Sequence, residues 1–247
     1  MDRLVYTSLS ALRGSMARQA ANANNIANIN TVGFRGEYSA ASALYVRGET
    51  QPARAHSSEQ VVGADMRAGT VNMTGRDLDV AMNGDAFLAV QSLEGEEAYT
   101  RRGDLSVADT GLLTNGEGLP VLGEEGPITV PPYDKISIEA DGIVRIVPMG
   151  GNPEQPEIIG RLKIASPAGS DVLKGTDGLF RVKDGGVLPA DPDGRILSGG
   201  LEGSNVEASR ALAEMIEASR AWDTQIKLIT TARELDSSGA DLMRLPD

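Results

Sequence analysis

The 247-residue chain contains no cysteine and a single histidine, His56. The first absence removes disulfides, thiolate metal sites and cysteine nucleophiles, and the second removes any multi-histidine zinc site. Basic residues are outnumbered, with 23 Lys and Arg against 35 Asp and Glu, for a net charge of −12. A surface of that sign does not recruit nucleic acid or anionic lipid. No apolar run approaches the roughly 18 residues needed to cross a bilayer. The N-terminal stretch MDRLVYTSLSALRGSMARQ mixes polar and apolar residues and has no hydrophobic core ahead of a small-residue cleavage site. It does not read as a secretory signal, which taken alone predicts a cytoplasmic protein.

What is present is unevenly placed. The net charge is +2 over residues 1–59, −11 over 60–203 and −3 over 204–247. Of 29 glycines, 24 lie between 60 and 203, and eleven of twelve prolines lie between Pro52 and Pro192. The middle is therefore rich in turns, and both ends are almost free of the residue that breaks helices. In that middle, short β-type segments (Phe87–Gln91, Ile128–Val130, Lys135–Glu139, Ile143–Val147, Ile158–Ile164, Leu179–Val182, Arg195–Leu197) alternate with turn dipeptides. The dipeptides are Asn83-Gly84, Asn115-Gly116, Asp141-Gly142, Asp177-Gly178, Asp184-Gly185 and Asp193-Gly194. Such spacing predicts an antiparallel sandwich or barrel.

Each end carries a heptad stripe. The first runs Val5, Leu9, Leu12, Met16, Gln19, Ala23, Ile26, and the second Ala208, Leu212, Met215, Ser219, Trp222, Ile226, Ile229. Both repeat at 4 and 3, the period of a helical seam. The cluster Asn22, Asn24, Asn25, Asn28, Asn30 is expected to fray or stop the first helix, and Gly33 to supply a left-handed turn. Ser204 or Asn205 is expected to cap the second, with Glu207 in capping-box spacing to Ser204. The expected organisation is an N-terminal helix and turn (1–34), a connector (35–60), an acidic β-rich body (61–203) and a C-terminal helix (204–247). A mainly β body is thus bracketed by terminal helices that form a coiled-coil-like layer. A narrow stripe is a weak helix alone, so the seams call for partners, in each other and in neighbouring subunits.

Other motifs read as ordinary structure. His56 sits beside Ser57 in the connector, where it reads as a solvated loop residue, because adjacency in sequence does not build a triad. Asp77, Asp79, Asp85, Glu94, Glu96 and Glu97 could supply an acid/base pair, but an acidic body brings carboxylates together by chance. Asp191-Pro192-Asp193-Gly194 lacks the alternating acidic ligands of a calcium loop. Gly199-Gly200-Leu201-Glu202-Gly203 lacks the βαβ setting of a phosphate turn, and Glu202 would repel an anion there. No catalytic residue, metal ligand or cofactor is expected.

The two ends resemble a known family. Leu4 to Leu12, followed by Ala23-Asn24-Asn25-Ile26-Ala27-Asn28-Ile29-Asn30-Thr31-Val32-Gly33-Phe34-Arg35, is similar to the N-terminal signature of bacterial flagellar rod, hook and hook-associated proteins. Gly200-Leu201-Glu202-Gly203-Ser204-Asn205-Val206, followed by Met215 to Trp222, resembles that family's C-terminal signature, with Trp222 where Tyr or Phe is usual. Middle segments such as Gly63-Ala64-Asp65-Met66, Phe87 to Gln91 and Tyr99-Thr100-Arg101-Arg102-Gly103 are similar to proximal-rod members, and the short connector separates the chain from distal-rod ones. The resemblance implies a non-enzymatic subunit of the flagellar basal-body rod in the periplasm, exported without a cleaved signal through the flagellar type III apparatus. It also implies other rod proteins and further copies of itself as partners, without membrane insertion. The residues expected at the assembly interface are Val5, Leu9, Leu12, Met16 and Ile26 on the first seam and Leu212, Met215, Trp222, Ile226 and Ile229 on the second. The alternatives are a distal-rod or hook subunit of the same family, or a secreted calcium- or glycan-binding β protein.

Overall fold

The computed structural model describes the backbone of residues 2–45 and 55–243 and the side chains of 8–38 and 63–241. The chain opens with α1 (Asp2–Ala27), then β1 (Glu37–Tyr45) and β2 (Ala55–Ala64), which pair with each other. There follow β3 (Val71–Met73), β4 (Val80–Met82), β5 (Phe87–Gln91), β6 (Glu97–Thr100), β7 (Ser106–Val107), β8 (Leu113–Thr114), β9 (Leu122–Gly123) and β10 (Gly126–Pro127). Next come β11 (Tyr133–Ile138), β12 (Ile143–Pro148), β13 (Glu157–Arg161), β14 (Ile164–Ala165), β15 (Val172–Lys174) and β16 (Phe180–Val182). The chain closes with β17 (Ile196–Ser198), β18 (Gly200–Glu202) and α2 (Ala208–Met243). Two units result. One holds α1, the β1–β2 pair and α2, and the other holds residues 28–36 and 64–206.

The second unit is the β body. Its central sheet has the order β14-β5-β6-β16-β15, and a second sheet the order β11-β12-β13; every pairing with a described register in the body is antiparallel. β5 explains why both sheets share one core. Successive side chains of a strand point to opposite faces, so Leu88 and Val90 enter the larger apolar cluster with Leu113, Val121, Val144 and Leu162, while Phe87 and Ala89 enter a smaller one with Tyr99, Phe180 and Leu188. The Phe87 and Phe180 rings meet at 4.9 Å between centroids in a tilted pair. The expected strand 158–164 is split because the chain changes sheets within it: Arg161 pairs with Ile143, and Ile164 pairs with Leu88. Leu162 is buried at the crossing, its amide donating to the Gly142 carbonyl at 2.9 Å. Ile128–Val130 is not a named strand; it is held by a bridge between Leu112 and Thr129 and by main-chain bonds of Ile128 to Leu113 and Val121 and of Val130 to Gly111, and Ile128 and Val130 are core residues all the same.

In the helical unit, α1 and α2 pack on each other, and β1 packs on α1. The asparagine cluster does not end α1 early, since the helix runs through Asn22, Asn24 and Asn25 to Ala27. α2 starts at Ala208, later than a Ser204 or Asn205 cap would place it; the Glu207 carbonyl accepts the first helical bond from the Ala211 amide at 2.9 Å. The segment expected as a plain connector contributes β1 and β2, and His56 falls in β2 rather than in a loop, its side chain outside the described residues. No helix among the described residues is long and apolar enough to cross a membrane.

Candidate functional site

The two helical seams expected from the heptads divide by exposure. On α1, Leu12 is buried and Ile26 half-buried, whereas Leu9 and Met16 are exposed, Met16 at 56%; the side chain of Val5 lies outside the described residues. On α2, Met215, Trp222 and Ile229 are half-buried, whereas Leu212 and Ile226 are exposed. The most covered positions carry small side chains: Ser8, Ser15 and Ala21 on α1, and Ala211, Ala218 and Ala232 on α2. The covered track of α2 reads Ala211, Met215, Ala218, Trp222, Gln225, Ile229, Ala232, a heptad in which alternate members stand one position before the apolar stripe of the sequence. Small residues let helices approach closely, and the larger apolar side chains are left facing outward. Leu9, Met16, Leu212, Ile216, Ile226, Leu228 and Leu235 form that outward set.

Within the helical unit, Asn25 fastens α1 to β1. Its Nδ2 donates to the Glu37 carbonyl at 2.8 Å and its Oδ1 accepts from the Glu37 amide at 2.7 Å. A side-chain amide thereby pairs with both main-chain groups of one residue, as a neighbouring strand would. Asn25→Ala removes both of these bonds from a covered setting and is expected to cost about 1–3 kcal/mol. Thermal unfolding followed at 222 nm, where the helices dominate, checks this; an unchanged helical transition would show the pairing to be dispensable.

Within the β body, the two family-like segments meet at a buried carboxylate. Glu202, on β18, is 1% exposed. Its Oε2 lies 2.8 Å from Arg101 Nε and 2.6 Å from Arg101 Nη2. Oε1 accepts from the Gly69 amide at 2.8 Å and lies 2.7 Å from Arg35 Nη1, and the Glu202 carbonyl accepts from the Gly33 amide at 2.7 Å. Arg101 is also a hub for the β4–β5 turn, donating to the carbonyls of Met82, Gly84 and Ala86. Burial pulls the Arg101 guanidinium below its ordinary pKa; Glu202 opposes that shift and Arg35 adds to it. Arg35 is different. Its side chain is 1% exposed, its contact with Glu202 is an ion pair rather than a directed hydrogen bond, and its Nε makes no hydrogen bond.

Around this centre the flanking residues are tied down. Asn205 is not a helix cap: its Oδ1 accepts from the Gly36 amide at 2.7 Å and its Nδ2 donates to the carbonyls of Asp65 at 2.8 Å and Arg67 at 2.9 Å. The Asn205 amide donates to the Phe34 carbonyl at 3.2 Å. Lys174 stands over the Phe34 ring, 3.8 Å from its centroid, and donates to the Arg35 carbonyl at 3.0 Å. Gly33 has φ of +67°, as its position in the turn predicts, and a Cβ there would fall 2.4 Å from the Arg101 carbonyl carbon and oxygen.

The carboxylates weighed for acid/base work have structural partners or face solvent. Asp79 pairs with Arg76 at 2.8 Å and Thr74 at 2.6 Å, and Glu97 with Lys163 at 2.6 Å. Tyr99 donates to Glu97 at 2.7 Å, and burial, helped by that bond, raises the phenol above its ordinary pKa. Asp77, Asp85, Glu94 and Glu96 are exposed. Among the described residues no three His, Asp or Glu side chains gather as a metal cluster. The Glu202 network fastens segments that lie far apart in one chain.

Arg35, Arg101 and Glu202 were missed from sequence because their separation along the chain leaves no local period. The available signal was a charged residue set among glycines directly after a strand, where turn chemistry alone does not call for a carboxylate.

Comparison with known proteins places matches on these segments. Residues 5–35 match the model described as "Flagella basal body rod protein", residues 81–146 the "Flagellar hook protein FlgE/F/G D1 domain" and residues 197–242 the "Flagellar basal body rod FlgEFG protein C-terminal". The chain is 40% identical to the flagellar basal-body rod protein FlgF of Salmonella typhimurium, over 99% of this chain and all of that protein. It is 42% identical to FlgF of Escherichia coli over 94% of each chain, and 31% identical to the rod protein FlgG of Bacillus subtilis over 99% of this chain and all of that one.

Proposed function

Because the chain belongs to the FlgF family of flagellar basal-body rod proteins, we propose that its fold works as a mechanical joint between subunits. It is a structural subunit of the bacterial flagellar basal-body rod. The reading offered here is that α1 and α2 form an inner layer through which subunits polymerise helically with each other and with proximal and distal rod proteins. The β body forms the outer surface. Its work is torque transmission across the periplasm without catalysis, after export through the flagellar type III apparatus.

One observation carries this reading: the apolar residues that the α1–α2 pair leaves outside. Leu9, Met16, Leu212, Ile216, Ile226, Leu228 and Leu235 are exposed, and burying one such side chain is worth about 1.5–3 kcal/mol. Charge favours a second copy as the cover. α1 carries one Asp and three Arg, a net +2, and α2 carries four basic and six acidic residues, a net −2. An α1 laid on a neighbour's α2 therefore gains apolar burial and opposite charge together. Of the expected interface residues, Leu9, Met16, Leu212 and Ile226 serve contacts between subunits in this reading, and Leu12, Met215, Trp222 and Ile229 serve the pair within one subunit.

The test is a Leu212→Glu, Ile226→Glu double variant in cells lacking the wild-type copy. Burying two carboxylates against an apolar partner is prohibitive, so rods and motility are expected to be lost while the purified variant keeps its β-body melting transition. Normal motility would show that this face is not the assembly face.

A further inference from the structure

Two Asn-Gly dipeptides stand in turns of the β body, Asn83-Gly84 after β4 and Asn115-Gly116 after β8. The chemistry open to both is intramolecular. The main-chain nitrogen that follows an asparagine, once it has given its proton to hydroxide, can attack the side-chain Cγ. The bond from Cγ to Nδ2 breaks, ammonia leaves, and a five-membered succinimide ring remains. Water then adds to one of the two ring carbonyls and opens the ring, either to aspartate or to isoaspartate, whose main chain runs through Cβ and Cγ. The sum is one water consumed and one ammonia released, with no change of oxidation state. A following glycine leaves the attacking nitrogen unshielded, since no Cβ stands beside it.

At Asn83 the fold leaves this closure open. Asn83, Gly84 and Asp85 are exposed, and among the described residues neither the Asn83 side chain nor the Gly84 amide makes a hydrogen bond. Gly84 has φ of +58°, and a Cβ there would meet no atom within 4 Å. Asn115 is the contrary case. It is buried, and its Oδ1 accepts from the Glu117 amide at 3.0 Å and the Leu119 amide at 2.9 Å. Turning its Cγ toward the Gly116 nitrogen breaks both bonds and unmakes the turn they hold. We propose that Asn83 is a site of spontaneous deamidation, closing onto the Gly84 nitrogen, and that the two amide donors of Asn115 protect it from the same reaction.

The product forms inside the Arg101 hub. Arg101 donates to the carbonyls of Met82, Gly84 and Ala86, and the Asn83 amide donates to the Arg195 carbonyl at 3.0 Å. Isoaspartate at 83 inserts one more main-chain carbon between the Met82 and Gly84 carbonyls, which a single guanidinium holds. It also brings a second carboxylate close to Asp85. Ordinary aspartate at 83 brings the charge without the extra carbon, so the two effects separate.

The test uses the whole purified subunit, held at mildly alkaline pH in heavy-oxygen water and then digested with trypsin in ordinary water. Cleavage after Arg76, Arg101, Arg102 and Lys135 places Asn83 in peptide 77–101 and Asn115 in peptide 103–135. In the folded protein, label is expected to enter at residue 83 at least about tenfold faster than at residue 115. Isoaspartate, identified by electron-transfer fragmentation, should exceed aspartate there. In urea the two rates should come within about twofold of each other, because the protection of Asn115 belongs to the fold. Equal rates in the folded protein, or no label at residue 83 while the unfolded chain labels, would overturn the proposal. Asn83→Gln, whose longer side chain must close a six-membered ring, should abolish labelling at that position; label persisting in peptide 77–101 would place the reaction at another residue. Protein aged until most of residue 83 has converted is expected to unfold at lower denaturant than fresh Asn83→Asp protein. Matching midpoints would show that the turn absorbs the extra carbon and would overturn the effect on the hub.

Discussion

Arg101→Ala is expected to destabilise the β body by about 3–5 kcal/mol, the cost of removing one partner from a buried charge pair. The guanidinium touches the Glu202 carboxylate, and it also satisfies the carbonyls of Met82, Gly84 and Ala86. Alanine leaves the carboxylate with Arg35 and the Gly69 amide, and strips three carbonyls in the β4–β5 turn of their donor. Lysine does not rescue the site, because one ammonium cannot reproduce a planar fork directed at four acceptors. Denaturant unfolding measures the effect as a lowered midpoint at unchanged slope. A loss below about 1 kcal/mol would mean that water repairs the turn and that Arg101 is not a hub.

The second large effect is expected at Gly33. A β-branched side chain at φ of +67° carries backbone strain of about 1–3 kcal/mol, before any contact is considered. Its Cβ would overlap the main chain of Arg101 at 2.4 Å, and a main-chain obstacle directly after β6 cannot move aside as a side-chain tip would. Gly33→Val is therefore expected to lift residues 28–36 off the body, removing the Lys174–Phe34 contact and the bonds of Asn205 to Phe34 and Gly36 together. In cells the expected result is a folded body and no motility. Hydrogen exchange of the purified variant should show amides 33 and 36 unprotected beside a protected β5; a motile strain with normal protection there would refute the account.

The same residues show how much was legible beforehand. Alternating burial along β12 and the two-sided burial of β5 follow from local pattern, and the turn at Gly33 follows from composition, so the β body between terminal helices was readable. The heptads of α1 and α2 were readable as well, because period alone announces a helix. Which side of each helix would be covered was not, because serine and alanine contribute almost nothing to a hydropathy stripe and close approach favours them. Asn205 misled for a related reason. A short polar side chain ahead of a helix has the chemistry of a cap, and only the fold reveals that the Gly36 amide and two body carbonyls claim it first. Arg35, Arg101 and Glu202 illustrate the remaining limit: a buried ion network is a property of three distant positions, and no window of the sequence contains it.

The side-by-side pairing of residues 33–36 with 202–205 has a consequence for how such a chain can vary. Everything between those segments departs from and returns to one place, as a hairpin loop does, however large it is. Length can then be added to or removed from the turns of the body without moving the points at which its two ends emerge.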